Sequence, residues 1–259
     1  MSSSARRALR ILAAVGNAGR PMGVTEIARA IGVAPGTAFR GLDALQRASL
    51  LARHSSSPRY GLGPAALALR QSLLSQFRLR DICLPYLRQL ASAGGETTSL
   101  HVRIGWYAAR IATAPGTAEV TSSASLAGAQ PLLASVPGRA ILAHLPRNQM
   151  VRHRAWATAH GIVIPAGFER DLSAVRAGGF APASSAEGGG IAFPIRKSDQ
   201  AFAAIAIEAP EYAGTSSKNG SVPPWREVAR AIETLVRANP ALAKQPFDHF
   251  DPDEVALPS

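Results

Sequence analysis

Apolar residues recur at helical spacing from the start of the chain. Leu9, Leu12, Ala13 and Gly16 fall on one side of residues 6–16, with Arg6, Arg7 and Arg10 beside them, and Gly19-Arg-Pro21 stops that helix. Thr25 is placed to cap a second, short helix whose Ile27, Ala28 and Ile31 point inward. Gly32-Val-Ala34 then makes a tight turn, and Pro35 opens a third helix reaching Arg47. Phe39, Leu42 and Leu45 are its expected buried stripe, which leaves Gly36, Thr37, Arg40 and Arg47 near the open face. Residues 50–53 and 59–62 alternate as two short strands around His54-Ser-Ser-Ser-Pro58.

Beyond Gly63-Pro64 the period returns to that of a helix. Leu67, Leu69, Leu73, Leu74 and Phe77 give residues 65–77 more apolar surface than one packing face needs, which points to a partner. A further helix covers about residues 80–92. Residues 96–104 and 106–112 then alternate in strand fashion about a glycine turn. Helices are expected over 147–160 and 169–177, paired strands over 188–195 and 201–207, and an amphipathic helix over 223–238. From Pro240 onward prolines and acids alternate without periodicity, and the tail is expected to lack fixed structure. The implied division is a winged unit over 1–63, a linker helix over 64–79, a second domain over 80–239 and a tail over 240–259.

Charge sharpens this picture. The first 80 residues hold 12 of the 28 basic residues and only two of the 17 acids, Glu26 and Asp43, so nearly the whole net charge of +11 sits there. Segregation of that kind marks a polyanion footprint. Helix, glycine-bearing turn, helix and basic hairpin together make a winged helix–turn–helix, whose second helix enters the major groove of double-stranded DNA. Thr37 and Arg40 are the expected groove contacts, with Gly36 allowing close backbone approach and Thr25, Pro35 and Ala38 in the same DNA-binding set. Arg47, Arg53 and Arg59 are expected on phosphates.

Several other chemistries find little footing. No run of about 18 apolar residues exists to span a membrane. The N-terminal apolar stretch is broken by Arg10, unlike a signal peptide. A single cysteine, Cys83, in the apolar run Ile82-Cys-Leu-Pro85 excludes an internal disulfide and fits a reducing cytoplasm. His153 and His160 lack acidic or thiol companions for a metal, and His101 and His144 have no evident nucleophile or base. Gly188-Gly-Gly190 lacks the Lys-Ser/Thr of a phosphate loop, and there is no Gly-x-Ser-x-Gly elbow. The residues call for no cofactor and no metal, and they give catalysis no support.

Arg7-Ala-Leu-Arg-Ile-Leu12, Thr25-Glu-Ile-Ala-Arg-Ala-Ile-Gly-Val33, Thr37-Ala-Phe-Arg40 and Tyr60-Gly-Leu-Gly-Pro64 resemble the isocitrate lyase regulator (IclR) family of bacterial transcription factors. So do Gly94-Gly-Glu-Thr-Thr-Ser-Leu100 and the segment from Leu126 to Ala143, and the likeness spans about residues 5–210. It implies an α+β chain: winged helix–turn–helix, linker helix, and a GAF-like effector-binding domain with one antiparallel sheet flanked by helices. It also implies a homodimer or dimer of dimers, an operator, and a small-molecule effector.

The family pocket maps onto Gly128, Ala129, Leu132, Ser135, Gly138, Arg139 and Ile141, and onto Glu187, Gly190, Ala192, Ala206 and Glu208 of the late strands. The small-residue loop before the helix at Gly138 would offer free amides to an anion. Where the family carries Lys and Ser at the start of the recognition helix this chain has Pro35 and Gly36, so the operator sequence does not transfer. Gly190 and Ala206 stand where the family often has thiol or hydroxyl groups, which favours a larger, partly apolar ligand such as an aromatic acid. Glu208 opposes an acid unless Arg139 or Arg196 offsets it. Two alternatives stay open on the sequence: a GAF-like sensor or enzyme without specific DNA binding, and a DNA-binding regulator whose pocket binds nothing.

Overall fold

The computed structural model describes residues 3–117, 128–183, 189–208 and 225–254. The chain divides into two compact units, one ending at Gln76 and the other starting at Phe77.

The first unit packs α1 (Ser3–Ala18), α2 (Val24–Ile31) and α3 (Pro35–Arg47) around Ile11, Val15, Ile27, Ile31, Leu42 and Leu45. Ile11 and Val15 set the inward stripe of α1 with Leu12 packed against it, while Leu9 is 55% exposed and lies off the stripe. The wing is a three-stranded antiparallel sheet in the order β1 (Met22–Gly23), β3 (Arg59–Leu62), β2 (Leu51–Arg53). Its first strand has only two residues and no period of its own. Pairing of Met22 with Tyr60 and Gly23 with Arg59 fixes it. α4 (Pro64–Leu74) follows, with Leu67 and Leu69 exposed.

The second unit is built on a six-stranded antiparallel sheet, ordered β6-β5-β4-β9-β8-β7. The strands are β4 (Thr97–Ile104), β5 (Tyr107–Ala114), β6 (Ala129–Pro131), β7 (Ala181–Pro182), β8 (Ile191–Lys197) and β9 (Gln200–Glu208). α5 (Arg78–Gly94) and α9 (Trp225–Ala238) cover one face, where Thr98 Oγ1 donates to the Leu87 carbonyl at 2.9 Å. α6 (Val136–Leu142) covers the other, backed by α7 (Arg147–Ala159) and α8 (Phe168–Gly178). The face under α6 is paved with Ala181, Ala192, Ala204 and Ala206, whose small side chains admit the helix closely. Cys83 is fully buried in α5, and burial pushes its thiol up to about 12, out of range of thiolate chemistry.

Residues 240–254 do not form the structureless tail that their composition implies. A short 3₁₀ turn spans Pro240–Ala243. Beyond it Phe247 meets Phe77 with ring centroids 6.5 Å apart, Arg152 bridges Asp251 and Asp253, and Asp253 accepts from Trp106 Nε1 at 2.6 Å. Aromatic and ionic anchors hold the strap where periodicity gives no sign of it. Residues 255–259 lie outside the described residues.

One buried charge ties α9 to the sheet. Glu233 is 5% exposed, and its Oε1 accepts from the Arg196 amide at 2.9 Å and from Arg196 Nε at 2.7 Å. Glu233→Ala should destabilise the unit by about 2 kcal/mol, below the usual cost of breaking a buried pair because Arg196 keeps contact with water. Urea unfolding followed by near-ultraviolet dichroism measures this.

Candidate nucleic-acid interface and effector face

In the first unit the turn between α2 and α3 is closed by Gly32 in the left-handed region (φ 68°), a conformation that favours glycine. Pro35 and Gly36 open α3 in full solvent, and Arg40 projects from the same helix. Thr37 is partly exposed. Ala38 is fully buried beside Leu42, and Phe39 stands 55% exposed, which reverses the expected placement of these two residues. Ala38, Leu42 and Leu45 obey the i, i+4, i+7 spacing of one narrow helix face, whereas Phe39, three residues before Leu42, falls to the side of it. An aromatic ring therefore stands on the open side of the groove helix.

Thr25 does not cap α2. The strand pairing of β1 holds Gly23 extended (φ −80°, ψ 158°), so the helix starts at Val24 and Thr25 lies exposed in its first turn.

The arginines divide into two groups. Arg47 pairs with Asp43 one turn back. Arg59 donates to the Pro21 carbonyl at 3.1 Å and reaches Glu26 at 3.5 Å, and Arg20 also binds Glu26. The Arg20 guanidinium holds the Glu26 carboxyl below its ordinary range. Arg40 on α3 and Arg53 at the end of β2 are exposed and have no acid partner among the described residues. Both acids of the basic segment are thus spent on arginines expected at phosphates or beside them.

In the second unit the small-residue segment turns inward. Gly128 accepts the Arg110 amide at 2.8 Å, and Ala129 pairs with Ala109 at the sheet edge. Leu132 and Ile141 are fully buried in the cluster that includes Ala192 and Ala206. Gly138 admits no side chain, since a Cβ there would lie 2.1 Å from the Leu132 carbonyl oxygen. The Gly138 amide is taken by Ser135 Oγ at 3.2 Å, Pro137 has no N–H, and the Arg139 amide bonds the Ser135 carbonyl. Two of the three N–H groups at positions 136–139 are therefore engaged within the helix start, which leaves little of the expected set of free amides.

Gly190 is buried with φ 129° and gives its carbonyl to the Ala183 amide. The room expected beside Ala206 is filled by α6. Glu187 lies outside the described residues.

The partner of Glu208 is Arg110, at 3.6 Å, and neither of the two arginines expected to offset it. Arg139 donates to the Pro182 carbonyl and Arg196 to Glu233. Register explains the pairing: Thr97, Ser99 and His101 of β4 sit opposite Glu208, Ala206 and Ala204 of β9, and His101 sits opposite Arg110 of β5. A polar set of Ser99, His101, Arg110 and Glu208 is thus inlaid in the alanine-paved face. Ser99 Oγ and His101 Nε2 are 3.0 Å apart, and the buried His101 Nδ1 has no hydrogen-bond partner among the described residues. No local motif marks Ser99, His101 or Arg110, because three strands distant in sequence bring them together.

Burial, with Arg110 adding to it, pulls the His101 imidazole down to about 3, and burial pulls His144 and His153 down to about 4. Their folded values lie below the ordinary value near 6.5, so the stability they contribute is complete above about pH 6.5 and is lost as pH falls toward 4. Thermal unfolding should shift to lower temperature between pH 7 and pH 4.5, and His153→Phe should flatten that dependence.

Fold and charge together define a winged-helix DNA-binding protein with an appended sensor-type domain. Residues 4–55 match the IclR helix-turn-helix domain, and residues 71–234 match the bacterial transcriptional regulator IclR C-terminal domain. The chain belongs to the IclR family: it is a DNA-binding transcriptional regulator with a C-terminal effector domain, and not an enzyme. It is 27% identical over 184 residues to the transcriptional repressor IclR of Escherichia coli K12, covering 68% of this chain and 67% of that one. It is 28% identical over 183 residues to the glycerol operon regulatory protein of Streptomyces coelicolor, covering 69% and 71%. An IclR homolog from Microbacterium hydrocarbonoxydans, crystallised with 4-hydroxybenzoate, superposes with a TM-score of 0.69 at 24% identity, over 92% of this chain and all of that one. Among the described residues no helix is long and apolar enough to cross a membrane, and no cluster of metal-ligating side chains occurs.

Proposed function

We propose that the regulator acts in the cytoplasm as a homodimer or dimer of dimers. In this reading it uses α3 to read an operator and the polar inlay of the sheet to sense a hydroxylated aromatic carboxylate. On the DNA side the carrying observation is the exposure of Arg40 and Arg53, each without an acid partner, on the groove helix and the wing. Thr37 and Arg40 contact base edges, Gly36 lets the backbone approach, and Arg53 fixes register on a phosphate. Leu9, Leu67 and Leu69 each expose more than half their surface, which supports burial against a second copy, as a pair of half-sites requires.

On the ligand side the support is Arg110 beside Glu208, with a buried His101 nitrogen still to be satisfied. A ligand carboxylate would take Arg110, and a ligand hydroxyl would satisfy His101, so one molecule needs both groups. That 4-hydroxybenzoate occupies the Microbacterium homolog favours the same class here. Binding then shifts the balance between dimer poses, for which a few kcal/mol of differential affinity suffices.

Titration calorimetry with 4-hydroxybenzoate, benzoate and phenol tests this. The hydroxy acid should bind at least tenfold tighter than either fragment, and Arg110→Met should abolish the preference. Silence toward all three would leave a DNA-binding regulator whose pocket binds nothing.

A further inference from the structure

A groove of about 870 Å³ opens on the effector unit between α7, α8 and the β8–β9 turn, away from the polar inlay. Three features of its wall are unexplained by the fold. His144 lines it while 8% exposed, and its buried Nε2 has no hydrogen-bond partner among the described residues. The N-terminus of the 13-residue α7 faces it through Pro146 and Arg147, with no cap from Pro146 and no acid in the first turn, and with only the Gln149 amide taken by a side chain, Asn148 Oδ1 at 2.9 Å. That end carries the cation Arg147 instead, against the positive end of the helix dipole. Finally, Val151 stands 62% exposed next to the half-buried Met150 on the same wall.

Charge around the groove leaves an excess of cations. Arg154 is matched by Glu169 and Arg196 by Glu233, while Asp199 is the other acid on the wall. Arg176 gives only its Nε, to the Ala143 carbonyl at 2.6 Å, and Arg147 has no acid partner among the described residues. An acid-free helix start, two arginines and an unsatisfied imidazole line this one groove, together with Met150 and Val151.

We infer that this groove is a second ligand site, for an organic anion with a carboxylate head and an apolar body. The head lies against Arg147, Arg176 and His144, and the body covers Met150 and Val151. An anion there relieves both the exposed helix start and the crowding of like charges. The site shares no residue with the polar inlay of the sheet and stands or falls separately from it.

The test uses the full chain with 1-naphthoate as probe and 1-naphthalenemethanol as its uncharged counterpart, read by the ring resonances of His144 and His101. Naphthoate should move the His144 ring saturably and the alcohol should not. Arg147→Glu and Val151→Asp, both at exposed positions, should each weaken that response at least tenfold while thermal unfolding stays at the wild-type temperature. The inference is overturned if naphthoate leaves His144 unmoved, if only His101 responds, or if the alcohol or the Arg147→Glu protein responds as strongly. The wild-type spectra decide the matter even if a variant folds poorly.

Discussion

Arg40→Ala is expected to weaken operator binding by about 1–3 kcal/mol and to flatten discrimination at one base position, because a base-edge contact carries sequence information. Arg53→Ala should lower affinity for all sequences alike and reduce the salt slope by about one, as loss of a phosphate contact does. The contrast is the informative part, and competition binding at two salt concentrations separates the two variants. If they behave identically, α3 does not enter the groove through Arg40. Phe39 adds a third reading on the same helix. An exposed ring there can meet a thymine methyl, so Phe39→Ser should cost affinity on sites with that methyl and little on sites with uracil.

Trp106→Ala should be the most damaging single change in the effector unit, at about 3–5 kcal/mol. The ring is fully buried, meets His153 edge-on at 5.4 Å, and lies 4.8 Å beneath the Arg103 guanidinium. Its Nε1 also holds Asp253, so the substitution releases the strap of residues 240–254 as well as leaving a cavity. Asp253→Ala removes the hydrogen bond and the Arg152 pair but keeps the ring, and should cost about 1 kcal/mol. Urea midpoints for the two variants, compared with a chain ending at Asn239, apportion the loss between cavity and strap. A Trp106→Ala protein as stable as wild type would refute this account of the core.

The helix–turn–helix and the two central hairpins were legible because each rests on a local period or a local turn. Gly32, Gly105 and the alternation of residues 97–104 needed no distant partner to be seen. The exchange of Ala38 and Phe39 shows where that reading fails: the larger residue looked like core, but the 3.6-residue period places alanine inward. Strands of two or three residues, at Met22, Ala129 and Ala181, are too short to carry a period and form only because a neighbour pairs with them.

The Arg110–Glu208 pair was hidden for a different reason. It is set by the register of β5, β4 and β9, and nothing near either residue announces it. Composition does not reveal the strap because it measures average hydrophobicity, while a few aromatic and ionic anchors are enough to seat it.

Glu26 carries one more consequence. It neutralises Arg20 and touches Arg59, and Asp43 neutralises Arg47, so three of the basic segment's arginines already have a counter-ion inside the protein. Fewer small ions are then displaced when the duplex arrives than a tally of arginines implies. Carboxylates, though scarce in this segment, decide which cations remain available to the phosphates. An operator complex governed in this way holds more of its affinity when ionic strength rises, and leans correspondingly more on the bases it reads.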